Sequence, residues 1–215
     1  MQLPFTHDQF LDVFSAYNTA LWPAALMLWL ATIGVVVMFY RRGAAASRWI
    51  AALLAVHWAW SGIAYHLVHF RTINPAALLF GALFVVQAAA FAWCGTRPSA
   101  LRFKPAASGW AGVGGALIIY SLAYPVLGLV FGMRFPRMPL FGVPCPTTIL
   151  TVGFLLCATP PAVRWLALIP VLWAAIGGSA AFVFGIRADF VLLVAGVLLV
   201  MFVVLPRSRV RVSPA

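Results

Sequence analysis

Leu21-Trp-Pro-Ala-Ala-Leu-Met-Leu-Trp-Leu-Ala-Thr-Ile-Gly-Val-Val-Val-Met-Phe-Tyr40 contains no charged residue and is closed by Arg41-Arg42. A helix that crosses the hydrocarbon core of a bilayer needs roughly 20 mostly apolar residues. This run has that length, and its basic stop has the form of a membrane topology signal. The rest of the chain repeats the pattern over 49–70, 75–94, 110–132, 147–159, 165–185 and 189–205.

Composition agrees. The chain has 215 residues, 65% of them hydrophobic and 8% charged, with a mean hydropathy of +1.05. A soluble domain carries about 25% charged residues. With so little charge, lipid must cover the surface. No long polar linker divides the chain, so 1–215 reads as one integral membrane domain. The expected fold is all-α: a polytopic transmembrane helix bundle of seven spans, amino terminus outside and carboxyl terminus cytoplasmic, with the lipid bilayer as first partner.

Charge placement sets that orientation. The net charge of +11 comes from 14 Lys and Arg against three acids. On a seven-span topology Arg41, Arg42, Arg48, Arg97, Arg102, Lys104, Arg164, Arg207, Arg209 and Arg211 lie inside, and Arg71, Arg134, Arg137 and Arg187 outside. That split obeys the positive-inside rule. The run 147–159 is short for a span, but removing it would move the basic tail 206–215 outside and erase most of the bias. The basic residues lie between apolar runs rather than on a soluble face, which excludes nucleic acid as a partner.

The start lacks the basic-then-apolar pattern of a cleavable signal peptide, so the first run is expected to stay as an anchor. Ahead of it, Thr6-His7-Asp8-Gln9 reads as a capping box, with Asp8 favoured in the first turn by the helix dipole. Phe10, Phe14, Tyr17 and Leu21 follow at helical spacing. Residues 1–20 are expected to hold an amphipathic helix on the outer interface, bending near Trp22-Pro23. A plain extension of the first span is the competing reading, since Pro is tolerated in a first turn.

The second run is the most polar. At about 100° per residue, His57, Trp58, Ser61, Gly62, Tyr65, His66 and His69 share one half of the helix. Intramembrane ionisable groups are functional candidates by default. His57, Tyr65 and His66 are therefore candidates for a ligand site or pathway opening outward. The plainer reading is that each His is neutral and hydrogen-bonded between helices. Cys145, between Pro144 and Pro146 ahead of a helix expected to start at Thr147 or Thr148, is a further candidate, because a helix N-terminus activates a thiol. Its plain reading is a small buried residue. A metal on His66, His69 and Cys145 is an open alternative, and it requires the Cys145 loop to reach the second span. Tyr124 and Gln87 are second-rank candidates within spans. Gly177-Gly178-Ser179-Ala180-Ala181 reads as a close helix contact. Arg187 and Asp189 are expected to pair across the last outer loop, or Asp189 to cap the seventh helix.

Absences narrow the chemistry. Asp8, Asp12 and Asp189 are the only acids, and all fall outside the runs' interiors, so the expectation is no carboxylate proton relay and no buried acidic site. Lys104 is the only lysine and lies between runs, which excludes retinal. Three of four His on one helix make haem a poor fit. No Walker motif is present. The sequence requires no cofactor. On the expected topology Cys145 has no disulfide partner in its own chain.

Several stretches together resemble one family: Pro4-Phe5-Thr6 with Asp8-Gln9-Phe10, Tyr17-Asn18 and Trp22-Pro23; Tyr65-His66 with Ile73-Asn74-Pro75-Ala76 and Phe80-Gly81-Ala82; Phe141-Gly-Val-Pro-Cys-Pro-Thr-Thr148; and Ile176-Gly-Gly-Ser-Ala-Ala181. They are similar to a bacterial integral membrane family known as domain of unknown function 6064. The resemblance implies a bacterial inner-membrane protein, and brings no substrate, reaction or catalytic residue. The leading functional expectation is a small permease-like or ligand-binding membrane protein with an outward His/Cys site. A membrane redox or metal-handling enzyme using the same residues comes next. A non-catalytic subunit of a membrane complex, or a homo-oligomer, comes third.

Overall fold

The computed structural model describes residues 5–43, 45–97, 100–105, 108–159 and 162–205. The basic tail, with Arg207, Arg209 and Arg211, lies outside the described residues. The described residues are mainly helical. Helix α1 spans His7–Tyr40, α2 Ala46–Trp60, α3 Ala77–Gly95, α4 Gly109–Val130, α5 Pro144–Leu156, α6 Val163–Leu166, α7 Leu168–Phe184 and α8 Phe190–Val204. Two short strands, β1 (Arg102–Phe103) and β2 (Ala158–Thr159), pair antiparallel and tie the α3–α4 connection to the end of α5. Counting continuous helical stretches among the described residues, six are long and apolar enough to cross a membrane, from His7–Tyr40 through Arg187–Val204.

Helix α1 corrects the expectation of a separate interfacial helix. The capping box is present, with Gln9 N–H donating to Thr6 Oγ1 at 3.2 Å and Thr6 N–H to Gln9 Oε1 at 2.8 Å. From there one helix runs through Pro23 to Tyr40. Its 34 residues rise about 50 Å, well beyond the roughly 30 Å of a hydrocarbon core. The surplus is the stretch that carries Asp8 and Asp12. Both are ion-paired to Arg137, at 3.1 and 2.9 Å. The helix ends where Arg42 turns left-handed, φ 55°, a common helix stop.

Helix α2 does not stop at Trp60. It widens into a π-helix over Ser61–His69 and closes with a 3-10 turn, Phe70–Thr72. Its i→i+5 bonding advances each residue by less than an α-helix does. His57, Trp58, Ser61, Gly62, Tyr65 and His66 are buried, and Val56, Ile63 and Val68 are exposed. His69, last on the widened stretch, is only partly buried.

Helix α5 is the centre of the molecule. It has 13 residues, and every one but Cys145 is buried. Its first turn contains Pro144, Cys145 and Pro146, so the helix starts three residues ahead of the expected Thr147 and ends at Leu156 rather than 159. Proline suits a first turn because those N–H groups have no intrahelical acceptor. A helix enclosed by protein need not match bilayer thickness, since its ends meet protein rather than lipid. The connection before it descends into the bundle with Met138, Phe141 and Val143 buried. Asn18 Nδ2 holds that connection by donating to the carbonyls of Pro136 and Met138, at 2.6 and 2.7 Å.

Small residues let the helices close on α5. A Cβ on Gly114 of α4 would sit 2.5 Å from the Gly153 carbonyl oxygen, and one on Gly153 would sit 2.8 Å from that of Gly114. On α7, a Cβ on Gly178 would meet Leu193 of α8 at 2.5 Å. Backbone approach of this kind is how apolar helices associate where lipid removes the hydrophobic drive. Large apolar side chains instead face outward, with Met27, Val130 and Val204 each 71% exposed. That is the reverse of a soluble surface, which rarely exposes large continuous apolar patches.

Candidate functional site

A cavity of about 280 Å³ lies at the end of the bundle where α1 begins. Its walls are mostly aromatic. Phe10 of α1 and Phe184 of α7 stack at 4.5 Å between centroids. Phe80 of α3 meets Trp173 of α7 edge-on at 5.4 Å. Tyr65, from the π-helical stretch, stacks on Phe70 at 5.7 Å and on Phe14 at 5.8 Å. Ser179 and Val183 on the rim are exposed, while Trp173 and Asp189 on the wall are buried.

Asp189 corrects the expectation that no acid lies within the bundle. It is 5% exposed and lines the cavity. The turn Arg187–Asp189 tucks it inward. The Tyr124 hydroxyl of α4 donates to its Oδ1. One helical turn earlier, Tyr120 donates to the Ala188 carbonyl at 2.8 Å, so α4 grips the turn twice. Asp189 makes neither expected interaction. Its side chain does not cap α8, and the ion pairs among the described residues are those of Arg137 with Asp8 and Asp12. A buried carboxylate without a cation is expensive unless its hydrogen bonds are made, which is why Tyr124 matters. The Cys145 thiol lies against both the Asp189 carboxylate and the Trp173 indole.

The expected site residues separate into two groups. Tyr65, Cys145 and Tyr124 converge on the cavity and Asp189. His57 does not. Its Nε2 pairs with Thr32 Oγ1 at 2.9 Å, bracing α2 against α1. Gln87 donates to the Leu166 carbonyl at 2.9 Å, which serves the break between α6 and α7. His69 Nδ1 pairs with the Ala64 carbonyl of its own π-helix at 2.7 Å.

His66 is intermediate. It is fully buried, and neither ring nitrogen has a hydrogen-bond partner. Its ring is caged by Phe84 at 4.8 Å and Trp173 at 5.0 Å, behind the cavity wall. Cys145 and His66 thus both border Trp173. Among the described residues, no group of three or more His, Cys, Asp and Glu could hold a metal ion.

Sequence reading missed Asp189 and Trp173. Asp189 sits beside Arg187 at a helix start, which imitates an exposed capping acid. The signal that reveals it is the pair Tyr120 and Tyr124, two hydroxyls four residues apart in an apolar helix, which must find partners.

The fold and the site define a bundle of membrane-compatible helices around a buried central helix, with an aromatic cavity that holds a carboxyl group. The chain belongs to a family of unknown function, DUF6064, whose model matches residues 7–213. Comparison with curated proteins and with solved structures found no match.

Proposed function

We propose that this chain is a multi-pass protein of a bacterial inner membrane, crossing seven times with its amino end outside, and that it works as a small permease-like, ligand-binding protein. The observation that carries the reading is the buried Asp189 carboxyl in the wall of a cavity whose rim is exposed. A buried polar group in a mostly apolar pocket is the usual signature of a small-molecule site, and an ionisable group at membrane depth marks a ligand or ion path. Tyr65, Cys145, Tyr124 and Asp189 are the proposed site. For the seven crossings, the support is α5: its first turn meets Asp189, and its last residues lead into the β-bridge with Arg102–Phe103.

Two measurements test this. In right-side-out vesicles lacking native cysteines, Phe135→Cys is expected to react with an impermeant maleimide and Thr159→Cys is not. Labelling of both from one side overturns the fifth crossing. In proteoliposomes, saturable uptake or binding of a small radiolabelled solute is expected to be lost in Ser179→Trp, which fills the mouth of the cavity. No saturable binding of any solute, or binding indifferent to that substitution, overturns the ligand-binding reading.

A further inference from the structure

We infer that the cavity recognises a small hydrophobic monocation: a protonated or quaternary amine bearing an aromatic or branched apolar group. The inference rests on the ligand-binding reading above and gives its ligand class.

Three properties of the wall lead there. The first is charge. Among the described residues, Asp189 is the only carboxylic acid lining the cavity, and no Lys, Arg or His lines it. An anion would meet like charge with no donor cation. The second is the aromatic surface. Phe10, Phe70, Phe80, Phe184, Tyr65 and Trp173 present rings, whose faces carry negative potential and attract organic cations, most strongly when water is excluded. The third is the state of Asp189 itself. The Tyr124 hydroxyl and the Cys145 thiol, both uncharged, meet it, and no ion pair among the described residues neutralises it.

Other occupants fit worse. An acyl chain would suit the rings but leave the carboxylate without a counter-charge in an apolar space. A hard metal ion wants six or more oxygen ligands, and one carboxyl among phenyl rings does not supply them. The volume, about 280 Å³, lies just under the range for drug-sized ligands, so the ligand is small. An ammonium head beside Asp189 with its apolar substituent among Phe10, Phe80 and Phe184 satisfies both halves of the site.

The test uses the purified full-length chain in detergent and three probes of similar shape: benzyltrimethylammonium, its uncharged isostere neopentylbenzene, and the anion phenylacetate. Equilibrium binding is expected for the cation, with the isostere weaker by at least about tenfold, a difference of about 1.4 kcal/mol, and the anion not bound. Asp189→Asn is expected to remove that preference while leaving the isostere unchanged. Trp173→Leu is expected to weaken the cation more than the isostere. Equal binding of cation and isostere, both lost in Ser179→Trp, overturns the cation assignment and leaves the ligand site standing. Preferential binding of phenylacetate does the same. Binding of no probe overturns the cation assignment, and the uptake measurement above then decides the ligand site. Should Asp189→Asn fail to fold, the wild-type ratio of cation to isostere decides alone.

Discussion

The Tyr124 hydroxyl reaches across 65 residues of sequence to donate to Oδ1 of Asp189. Both residues are buried, and the Cys145 thiol is the other side chain that meets the Asp189 carboxyl. The bond therefore serves two purposes: it docks the α7–α8 turn on α4, and it holds a carboxyl in the cavity wall. Tyr124→Phe removes the donor and leaves the carboxyl buried. A hydrogen bond to a charged group is worth about 1.5–3 kcal/mol, so the detergent-solubilised protein is expected to melt at a clearly lower temperature. Tyr120→Phe loses one neutral bond to the Ala188 carbonyl, and is expected to lose less, about 1 kcal/mol. Thermal unfolding of the two variants side by side checks the order.

Apolar replacement is expected to act oppositely at the partner of His57 and at His66. His57 is bonded to Thr32, whose hydroxyl also donates to the Leu28 carbonyl at 2.8 Å. Thr32→Val strands the His57 ring nitrogen and is expected to cost about 1–3 kcal/mol. His66 already has no partner at either nitrogen. Replacing a buried, unpaired polar side chain with an apolar one of similar size removes a desolvation penalty. His66→Leu is expected to hold or raise the melting temperature. A marked fall would show that His66 has a partner in the working protein, and would return it to the candidate site.

The helical runs were legible in the sequence because a helix able to cross a membrane needs length and apolarity together, as in Leu21–Tyr40. What the sequence could not show was enclosure. The run 147–159 is short for a span, and it carries the hydroxyls of Thr147, Thr148 and Thr151. In the structure each hydroxyl is satisfied: Thr148 and Thr151 donate to carbonyls four residues back, and Thr147 pairs with Ser61 at 3.1 Å. A helix facing protein on every side carries no lipid signature. The burial of His57 and Tyr65 followed from a helical wheel, yet that wheel assumes one pitch. The π-helical stretch breaks the assumption and leaves His69 half out. Asp189 was hidden for another reason. Its position beside Arg187 reads as surface, and only the long-range partner Tyr124 reveals otherwise.

The α4–α5 contact sets the position of the first turn of α5 and hence of Cys145. Gly153→Ala would place a methyl 2.8 Å from the Gly114 carbonyl and 3.0 Å from the backbone nitrogen of Ile118. Both neighbours are main-chain atoms within a helix and cannot yield without moving α4. Overpacking of this kind costs about 1–3 kcal/mol. Because Tyr124 lies on the moved helix, Gly153→Ala is expected to lower stability and also to alter reactivity of Cys145 toward a small thiol reagent. Gly112→Ala is the control, since a Cβ there meets nothing within 4 Å.

The connection between α4 and α5 is held at two places of unequal strength. Arg137 pairs with Asp8 and Asp12, but its side chain is 43% exposed and theirs 79% and 65%. Water and salt screen such pairs, which contribute about 0–1 kcal/mol. Asn18 is fully buried, and its amide donates twice to backbone carbonyls of the same connection. Truncating Asn18 strips both carbonyls of this donor; the bond to Met138 is buried and that to Pro136 part-buried, and an unsatisfied buried group costs about 1–3 kcal/mol. Arg137→Ala is therefore expected to shift the melting temperature little, and by still less in high salt. Asn18→Ala is expected to shift it several degrees. It should also increase hydrogen exchange through residues 136–143, since the segment loses its buried tether. Equal losses for the two variants would mean that the charged clasp holds the connection as firmly as the buried amide.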